Sequence, residues 1–154
     1  MMLQMAFSIK TASIRDLDSL CTIEKVCFET EAFSRPQIAS LLTDYDSMTL
    51  VAYKSERITG FIIGRLYIER KALTGHVLTI DVLPDFRRHR IGTELLQEIE
   101  RLFRYKGAKA CRLEVRESNL AALSLYQKLG YEQIAKLRNY YGSAHGISFR
   151  KDLT

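Results

Sequence analysis

Apolar residues recur at helical spacing in four segments of the chain, which predicts four helices. The four predicted helices begin at or shortly after Ser13, Ser34, Pro84 and Asn119. Gln37 lies three residues after Ser34, and the two form the sequence signature of a capping box. Gly107 and Gly130 follow the last apolar residues of the third and fourth helices, which is the usual position of a helix-ending glycine.

Between the helices the apolar pattern changes to alternation or to short apolar runs, which predicts strands. Seven such segments occur, at 7–10, 49–53, 60–69, 75–82, 110–116, 131–138 and 147–153. Three of them follow one another without a helix, so we expect an antiparallel meander between Met48 and Val82. The predicted class is α+β, an α/β/α sandwich with a central mixed sheet of about six to seven strands and about four helices.

The composition fits one compact domain spanning residues 1–154. The chain is 47% hydrophobic and 27% charged, which is the globular average and excludes disordered, collagen-like and low-complexity proteins. A chain of this length can bury roughly 70% of its unfolded surface. No stretch approaches the roughly 18 consecutive apolar residues of a membrane span, since Gly64 and Arg65 interrupt the most apolar segment.

Cysteine and charge content bear on the compartment and the partner. The three cysteines are an odd number without Cys-x-x-Cys spacing, which argues against a disulfide framework and against a metal site. The residues from Met1 to Lys10 do not resemble a secretion signal, so we expect a cytoplasmic protein. The formal net charge of +5 fits an anionic partner, and it fits an ordinary solubility margin equally well.

The segment from Val82 to Leu96 contains the clearest candidate for a binding site. Arg87, Arg88 and Arg90 precede a helix start, where the helix dipole disfavours cations unless an anion lies between them. Gly92 in the first turn costs about 1 kcal/mol relative to alanine and is tolerated where a ligand approaches the backbone. We therefore expect an anion site here; the alternative is that the arginines are merely solvated and the glycine is incidental.

The same segment resembles motif A of the GCN5-related N-acetyltransferase (GNAT) superfamily, V-x-P-x-[FY]-[RQ]-x-x-G-x-[GA]-x-x-L-L. The matching residues are Val82, Pro84, Phe86, Arg87, Gly92, Leu95 and Leu96. In that family the loop cradles the pyrophosphate of acetyl-coenzyme A (acetyl-CoA), so the resemblance implies acetyl-CoA as acetyl donor. It assigns cofactor binding to Ile80, Val82, Arg87, Arg88, His89, Arg90, Ile91, Gly92, Thr93, Asn119 and Tyr126. Arg90 replaces the first glycine of the motif, where it either crowds the phosphate or contacts it.

A second match covers residues 113–131, which resemble the L-E-V-R-x-S-N-x-x-A-x-x-L-Y-x-x-L-G-[FY] stretch of one GNAT branch. That branch contains the ribosomal-protein alanine acetyltransferases and the archaeal N-terminal acetyltransferases. Its N-Y-Y motif matches Asn139, Tyr140 and Tyr141. Together the matches extend loosely over the chain before Gly75 and densely after it, so the resemblance implies the GNAT acyltransferase fold.

This resemblance also implies roles for individual residues. Glu114 is the expected general base, and Tyr126 is the expected general acid towards the leaving thiolate. Phe33 stands where many members have tryptophan, and with Tyr140 and Tyr141 it is expected to bind the acceptor.

Glu114, Tyr126 and Asn119 each have an alternative interpretation, in which the residue has only a structural role. Strand alternation places Glu114 on the face opposite Cys111, where it can pair with neighbouring arginines on a solvated surface. Tyr126 lies at the spacing of a buried helix face, although a buried phenol still needs a partner for its hydroxyl group. Asn119 is expected to cap the fourth helix.

The predicted function is transfer of an acetyl group from acetyl-CoA to the α-amino group of a protein N-terminus or peptide. We expect direct attack, because Cys111 lies on the wrong face and has no nearby histidine to activate it. A lysine side chain or a small-molecule amine is the alternative acceptor. A nucleic-acid-binding module is a remote alternative, since Glu94 and Glu98 interrupt the basic stretch. We expect a monomer or a homodimer that binds no membrane.

Overall fold

The computed structural model describes residues 6–154, and its core is one seven-stranded sheet. The strands are β1 (Ser8–Thr11), β2 (Ser47–Lys54), β3 (Arg57–Glu69), β4 (Ala72–Val82), β5 (Ala110–Arg116), β6 (Glu132–Tyr141) and β7 (Ala144–Asp152). Among these residues there are four α-helices, which are α1 (Leu17–Phe28), α2 (Arg35–Thr43), α3 (Ile91–Tyr105) and α4 (Leu120–Lys128). The predicted numbers of strands and helices are therefore confirmed, while residues 1–5 of the predicted domain lie outside the described residues.

The sheet is mixed, with the strand order β1-β2-β3-β4-β5-β7-β6. Strands β1 to β4 form the predicted antiparallel meander, and β5, β7 and β6 pair antiparallel with one another. The pair β4–β5 is parallel, and α3 makes the crossover between these two strands.

Strands β4 and β5 separate soon after they meet. Their pairing is limited to Thr74–His76 against Ala110–Arg112, although both strands continue beyond it. On its other edge β4 stays paired with β3, and a bulge there leaves Leu78 without a partner between Val77 and Thr79. Parallel strands that diverge in this way leave an open wedge in the middle of the sheet.

Helices cover the two faces of the sheet unequally. On one face α3 and α4 pack over the centre of the sheet, where Leu95, Ile99 and Phe103 join a buried cluster with β5 and β7. On the other face α1 and α2 pack over β2, β3 and β4 in a second cluster. The strands β5 and β7 carry polar side chains on that second face, so it is open beside α1 and α2.

The predicted start signals act as expected, with one difference. Ser34 and Gln37 form the capping box of α2, and the Asn119 side chain caps α4. Ser13 caps a 3-10 turn at Ile14–Asp16, and the α-helix begins one turn later than the sequence indicates. Within the described residues, no helix is long and apolar enough to cross a membrane.

The first two cysteines are more exposed than the sequence pattern indicates. The helical spacing of apolar residues predicts Cys21 and Cys27 as core residues of α1, but both are only half-buried at the edge of the second cluster. Leu20 and Ile23 take the fully buried positions instead. Cys111 is buried, as strand alternation predicts.

Candidate active site

A cavity of about 590 Å³ fills the wedge between β4 and β5. Its walls come from the divergent parts of the two strands, the connection between α1 and α2, the start of α4 and the end of β6. The structure brings seven of the predicted site residues to this one cavity, which are Phe33, Ile80, Glu114, Asn119, Tyr126, Tyr140 and Tyr141. They come from segments far apart in the chain, so the wedge in the sheet is what assembles them.

Glu114 lies in the wall of the cavity with a side chain that is 14% exposed. Its Oε1 atom is 2.7 Å from Nε2 of His76 on β4. The Tyr140 hydroxyl donates a longer hydrogen bond of 3.4 Å to the same oxygen. This environment fixes the carboxylate at the point where β4 and β5 begin to separate, and it leaves the second carboxylate oxygen free to accept a proton.

Tyr126 reaches the cavity from α4 and is only 6% exposed. Burial raises the pKa of its phenol above the ordinary value, so the hydroxyl group keeps its proton at physiological pH. No side chain among residues 6–154 hydrogen-bonds this hydroxyl, although Tyr131 and Phe149 contact the ring edge. The phenol is therefore part of the core, as helical spacing indicates, and it also lines the cavity in its protonated form.

A buried acidic group lies at the inner end of the cavity. Thr79 donates a hydrogen bond either to Glu24, at 3.0 Å, or to Asp81, at 2.6 Å. Both carboxyl groups are 1% exposed. Burial, together with the hydrogen bond and the charge of Glu24, raises the pKa of Asp81 well above its usual range. Asp81 therefore holds its proton to a higher pH than an exposed aspartate does.

The mouth of the cavity is formed by an ion pair and two tyrosines. Glu31, in the connection between α1 and α2, pairs with Arg116 at the end of β5. The Arg116 guanidinium also lies over the Tyr141 ring, 5.2 Å from its centroid. The rings of Tyr140 and Tyr141 stand perpendicular at 4.9 Å and form an aromatic wall of the cavity.

The start of α3 leaves three backbone donors free. The first hydrogen bond of the helix runs from Glu94 N–H to Arg90 O, and no side chain caps this end. The N–H groups of Ile91, Gly92 and Thr93 have no acceptor in the described part of the chain. Uncapped N–H groups at a helix N-terminus attract an anion, as the sequence led us to expect.

The basic residues ahead of α3 divide into two groups. Arg87 turns towards the protein, where its Nε donates to the Val82 carbonyl at 3.0 Å and its Nη2 approaches Cys27 Sγ. Arg88, His89 and Arg90 are exposed, and none of them pairs with a carboxylate within residues 6–154. These three side chains can therefore meet an anion at the helix start, whereas the guanidinium of Arg87 fixes the loop.

Comparison with known proteins identifies the family. The model of the acetyltransferase (GNAT) family matches residues 12–131. The chain belongs to this family of N-acetyltransferases. An N-alpha-acetyltransferase of Sulfurisphaera tokodaii is 32% identical to it over 144 residues, which cover 88% of this chain and 86% of that protein.

Two further relatives agree with this assignment. The ribosomal protein bS18 alanine N-acetyltransferase of Salmonella typhimurium is 35% identical over 91 residues, which cover 59% of each chain. The crystal structure of Ard1 from Thermoplasma volcanium superimposes with a TM-score of 0.87 at 27% identity, covering 97% of this chain and 99% of that one. The predicted GNAT fold is confirmed.

The acetyltransferases of this family use acetyl-CoA, and the start of α3 fits its phosphate groups. A Cβ atom at Gly92 would come no closer than 3.7 Å to Val82 and 3.9 Å to Ile80. Packing within the protein therefore does not require glycine at this position. The free N–H groups and the space above Gly92 instead match the close approach of a ligand to the backbone.

Sequence patterns missed several residues of this candidate site. His76 contacts Glu114 across 38 positions of sequence, and only the β4–β5 pairing brings them together. The buried Glu24 lies on the apolar face of a helix, where a carboxylate signals a specific partner, and this signal was available in the sequence. Nothing local marks Glu31 and Arg116 as a pair, because their contact depends on how α1 packs on the sheet.

Proposed function

We propose that the enzyme acetylates the α-amino group of protein N-termini. The observation that carries this proposal is Glu114, which is held by His76 in the cavity where β4 and β5 separate. The names of the relatives from Sulfurisphaera and Salmonella support a terminal amine as acceptor. A terminal amine has a pKa near 8 and a lysine one near 10.4, so a carboxylate base suits the terminal amine better.

Acetyl-CoA, the acetyl donor, binds at the N-terminus of α3. The N–H groups of Ile91, Gly92 and Thr93 would hold the pyrophosphate, with Arg88 and Arg90 beside it. Bound there, acetyl-CoA supplies an acetyl group activated as a thioester. Ile80 and Val82 line the path from this loop to the cavity, since both side chains lie next to Gly92. A backbone N–H of residues 79–82 on β4 polarises the acetyl carbonyl.

Glu114 acts as the general base. Its carboxylate accepts a proton from the incoming ammonium group, directly or through one water molecule. His76 is a positioning residue in this scheme, because its ring holds Oε1 and leaves the other oxygen for the acceptor. The Tyr140 hydroxyl makes the second contact to Oε1, which couples the aromatic wall to the orientation of the base.

Tyr126 provides the proton for the leaving group. Its buried hydroxyl stays protonated because its pKa is raised, and it faces the cavity without a hydrogen-bond partner among the described side chains. The protonated phenol can donate a hydrogen bond to the thiolate as it forms and, as general acid, pass its proton to the sulfur. Asn119 holds the helix start that carries Tyr126, since its Oδ1 accepts a hydrogen bond from Ala122.

Direct transfer is favoured over an acyl-enzyme. Burial raises the pKa of Cys111 to about 12, and this thiol lies on the opposite side of β5 from Glu114. Burial and nearby carboxylates also raise the pKa of Cys27, which lies at the cavity. Neither thiol is a thiolate at neutral pH, so neither is a competent nucleophile. The free state of all three cysteines supports a reducing compartment such as the cytoplasm.

Mass spectrometry of a defined peptide pool tests the proposal. The pool contains each peptide with a free or a blocked N-terminus and with or without lysine, and it is incubated with acetyl-CoA and the enzyme. We expect one acetyl group on every free N-terminus of a preferred sequence and none on blocked peptides. Acetylation of lysine in blocked peptides would contradict the proposal and assign the enzyme to side-chain amines.

A further inference from the structure

A second cavity, of about 730 Å³, lies at the closed end of the β4–β5 pair. Its lining includes four cationic side chains and a single carboxylate, which are Arg70, Lys109, Arg112, Arg150 and Glu69. We call it the basic cavity. Arg112 and Glu114 alternate with the buried residues of β5, so the basic cavity opens on the same face of the sheet as the catalytic base.

Only part of the positive charge in the basic cavity is neutralised within the described chain. Arg112 pairs with Glu69 and donates a hydrogen bond to Ser148 at 2.8 Å, and Arg150 pairs with Asp152 at 2.5 Å. Arg70 and Lys109 have no carboxylate partner among residues 6–154. The Arg112 Nε atom is buried and lacks an acceptor there. A concave surface with this excess of cations is suited to an anionic ligand.

The turn between β3 and β4 holds one of these cations at the rim. Arg70 and Lys71 have φ values of 49° and 67°, the left-handed conformation that two-residue hairpin turns require. Asparagine and glycine adopt it most easily, and this turn carries two long cations instead. The Lys109 backbone is equally fixed, because its N–H donates to Leu73 and its carbonyl accepts from Leu153. Arg70 therefore extends from a tight turn, and Lys109 extends from a hydrogen-bonded backbone.

Polar contacts connect the basic cavity to the catalytic cavity. The Tyr67 ring packs edge-on against His76 at 5.9 Å, and its hydroxyl donates to Glu69 at 3.1 Å. Along β5, Arg112 lies about 7 Å from Glu114 and Ala110 about 13 Å from it, at the usual rise of a strand. An extended polypeptide covers the longer distance in roughly four residues.

We propose that the basic cavity binds an acidic segment of the acceptor polypeptide, at about the fourth to sixth residue from the amino group that is acetylated. The inference rests on the proposed function, because the acceptor chain is taken to begin with its amino group at Glu114 and to run from there towards the basic cavity. Carboxylates in that segment meet Arg70 and Lys109 at the rim and Arg112 at the base. Acceptors with acidic residues at these positions are then preferred over neutral ones that share the same first three residues.

A binding measurement with two peptides tests this inference separately from catalysis. Both carry Ala-Ser-Ala at the free N-terminus, followed by Glu-Glu-Asp in one and Gln-Gln-Asn in the other, with a fluorophore at the C-terminus. We expect the acidic peptide to bind at least fivefold more tightly in 50 mM salt, and the difference to shrink in 0.5 M salt. Lys109→Glu and Arg70→Glu each remove most of the preference. Lys128→Glu, an exposed lysine on α4 across the sheet, retains it.

Equal dissociation constants for the two peptides with the wild-type enzyme would overturn the inference, and so would an unchanged preference in Lys109→Glu. A single-stranded RNA that binds more tightly than the acidic peptide and loses affinity in Lys109→Glu would also overturn it, assigning the cavity to nucleic acid. Acetylation of both peptides is followed in parallel. If neither peptide is acetylated, the proposed function is contradicted. A difference in binding between the two peptides still supports the acidic subsite in that case.

Discussion

Asp81 is an unusual residue for the inside of a β-strand next to an active site. Its carboxyl group is buried beside that of Glu24, and the Thr79 hydroxyl lies within hydrogen-bond distance of both. Burial disfavours the charged form of Asp81, and the hydrogen bond and charge of Glu24 add to this, so the pKa of Asp81 is raised. The folded protein therefore retains a proton that the unfolded chain loses above about pH 4. Stability falls as the pH rises from there through the raised pKa.

Replacing Asp81 by asparagine should remove this pH dependence. Asparagine keeps an oxygen for Thr79 and adds an N–H donor for Glu24, but it cannot ionise. We expect Asp81→Asn to gain stability relative to wild type as the pH rises from 5 to 8, by about 1 kcal/mol at pH 8. Urea denaturation at the two pH values measures the gain, with the exposed Asp85→Asn as control for the lost charge. A stability difference between variant and wild type that is the same at both pH values would contradict the raised pKa of Asp81.

Arg90 occupies a backbone position that favours glycine. Its φ is 67°, and the resemblance to motif A places a glycine there. We expect Arg90→Gly to be more stable than Arg90→Ala by about 1 kcal/mol, because only glycine adopts this conformation without steric cost. At Arg87, where φ is −70°, the same pair of substitutions should favour alanine. Thermal or urea denaturation of the four variants compares their stabilities. A more stable alanine variant at both positions would contradict the positive φ of Arg90.

At the residue scale the sequence predicted the side chains whose signals are local. Glu114 and Tyr126 lie within one continuous motif, and the structure brings both to the same cavity. Their roles remain predictions until variants are measured. His76 was missed because its relation to Glu114 exists only across two strands separated by a helix. Arg87 is a predicted phosphate ligand whose Nε–H is donated to the Val82 carbonyl in the structure, and its role in cofactor binding stays a prediction.

At the scale of elements, capping and turn residues were reliable guides, and strand ends were not. The capping box of α2 and the bounds of β5 are as the sequence predicts. Strand β6 runs to Tyr141, three residues further than expected, because irregular pairing between Leu137 and Tyr141 lets the strand continue past Asn139. Asn139 has a positive φ, and local alternation cannot indicate such an irregularity.

The packing of α3 depends on a glycine in β4. A Cβ atom at Gly75 would lie 2.2 Å from the Phe103 ring, which is fully buried. We expect Gly75→Ala to lower the free energy of unfolding by about 2 kcal/mol through overpacking. Gly92→Ala, in the first turn of α3, should instead raise it by up to about 1 kcal/mol, because its Cβ meets only ordinary contacts. Urea denaturation measures both, and a neutral Gly75→Ala would show that Phe103 moves freely.

At the scale of the molecule, the function follows from the wedge between β4 and β5. Local patterns predict the strands, but the order in which they pair depends on contacts between distant segments. The resemblance to the GNAT family implied the fold before the structure did, and the family match and the similar solved structure confirm that fold. The wedge then accounts for the site, because residues from both strands, α4 and the β6–β7 hairpin meet only where the strands are unpaired.

The central claim is that Glu114 removes a proton from a terminal amine in this wedge. The measurement that tests it most directly is kcat for a peptide with a free N-terminus, followed by release of the CoA thiol. We expect Glu114→Gln to lower kcat about 100-fold with little change in KM, because the amide keeps the shape but accepts no proton. Glu117→Gln, three residues along and paired with Lys136, should retain the wild-type kcat. An unchanged kcat in Glu114→Gln would contradict the account.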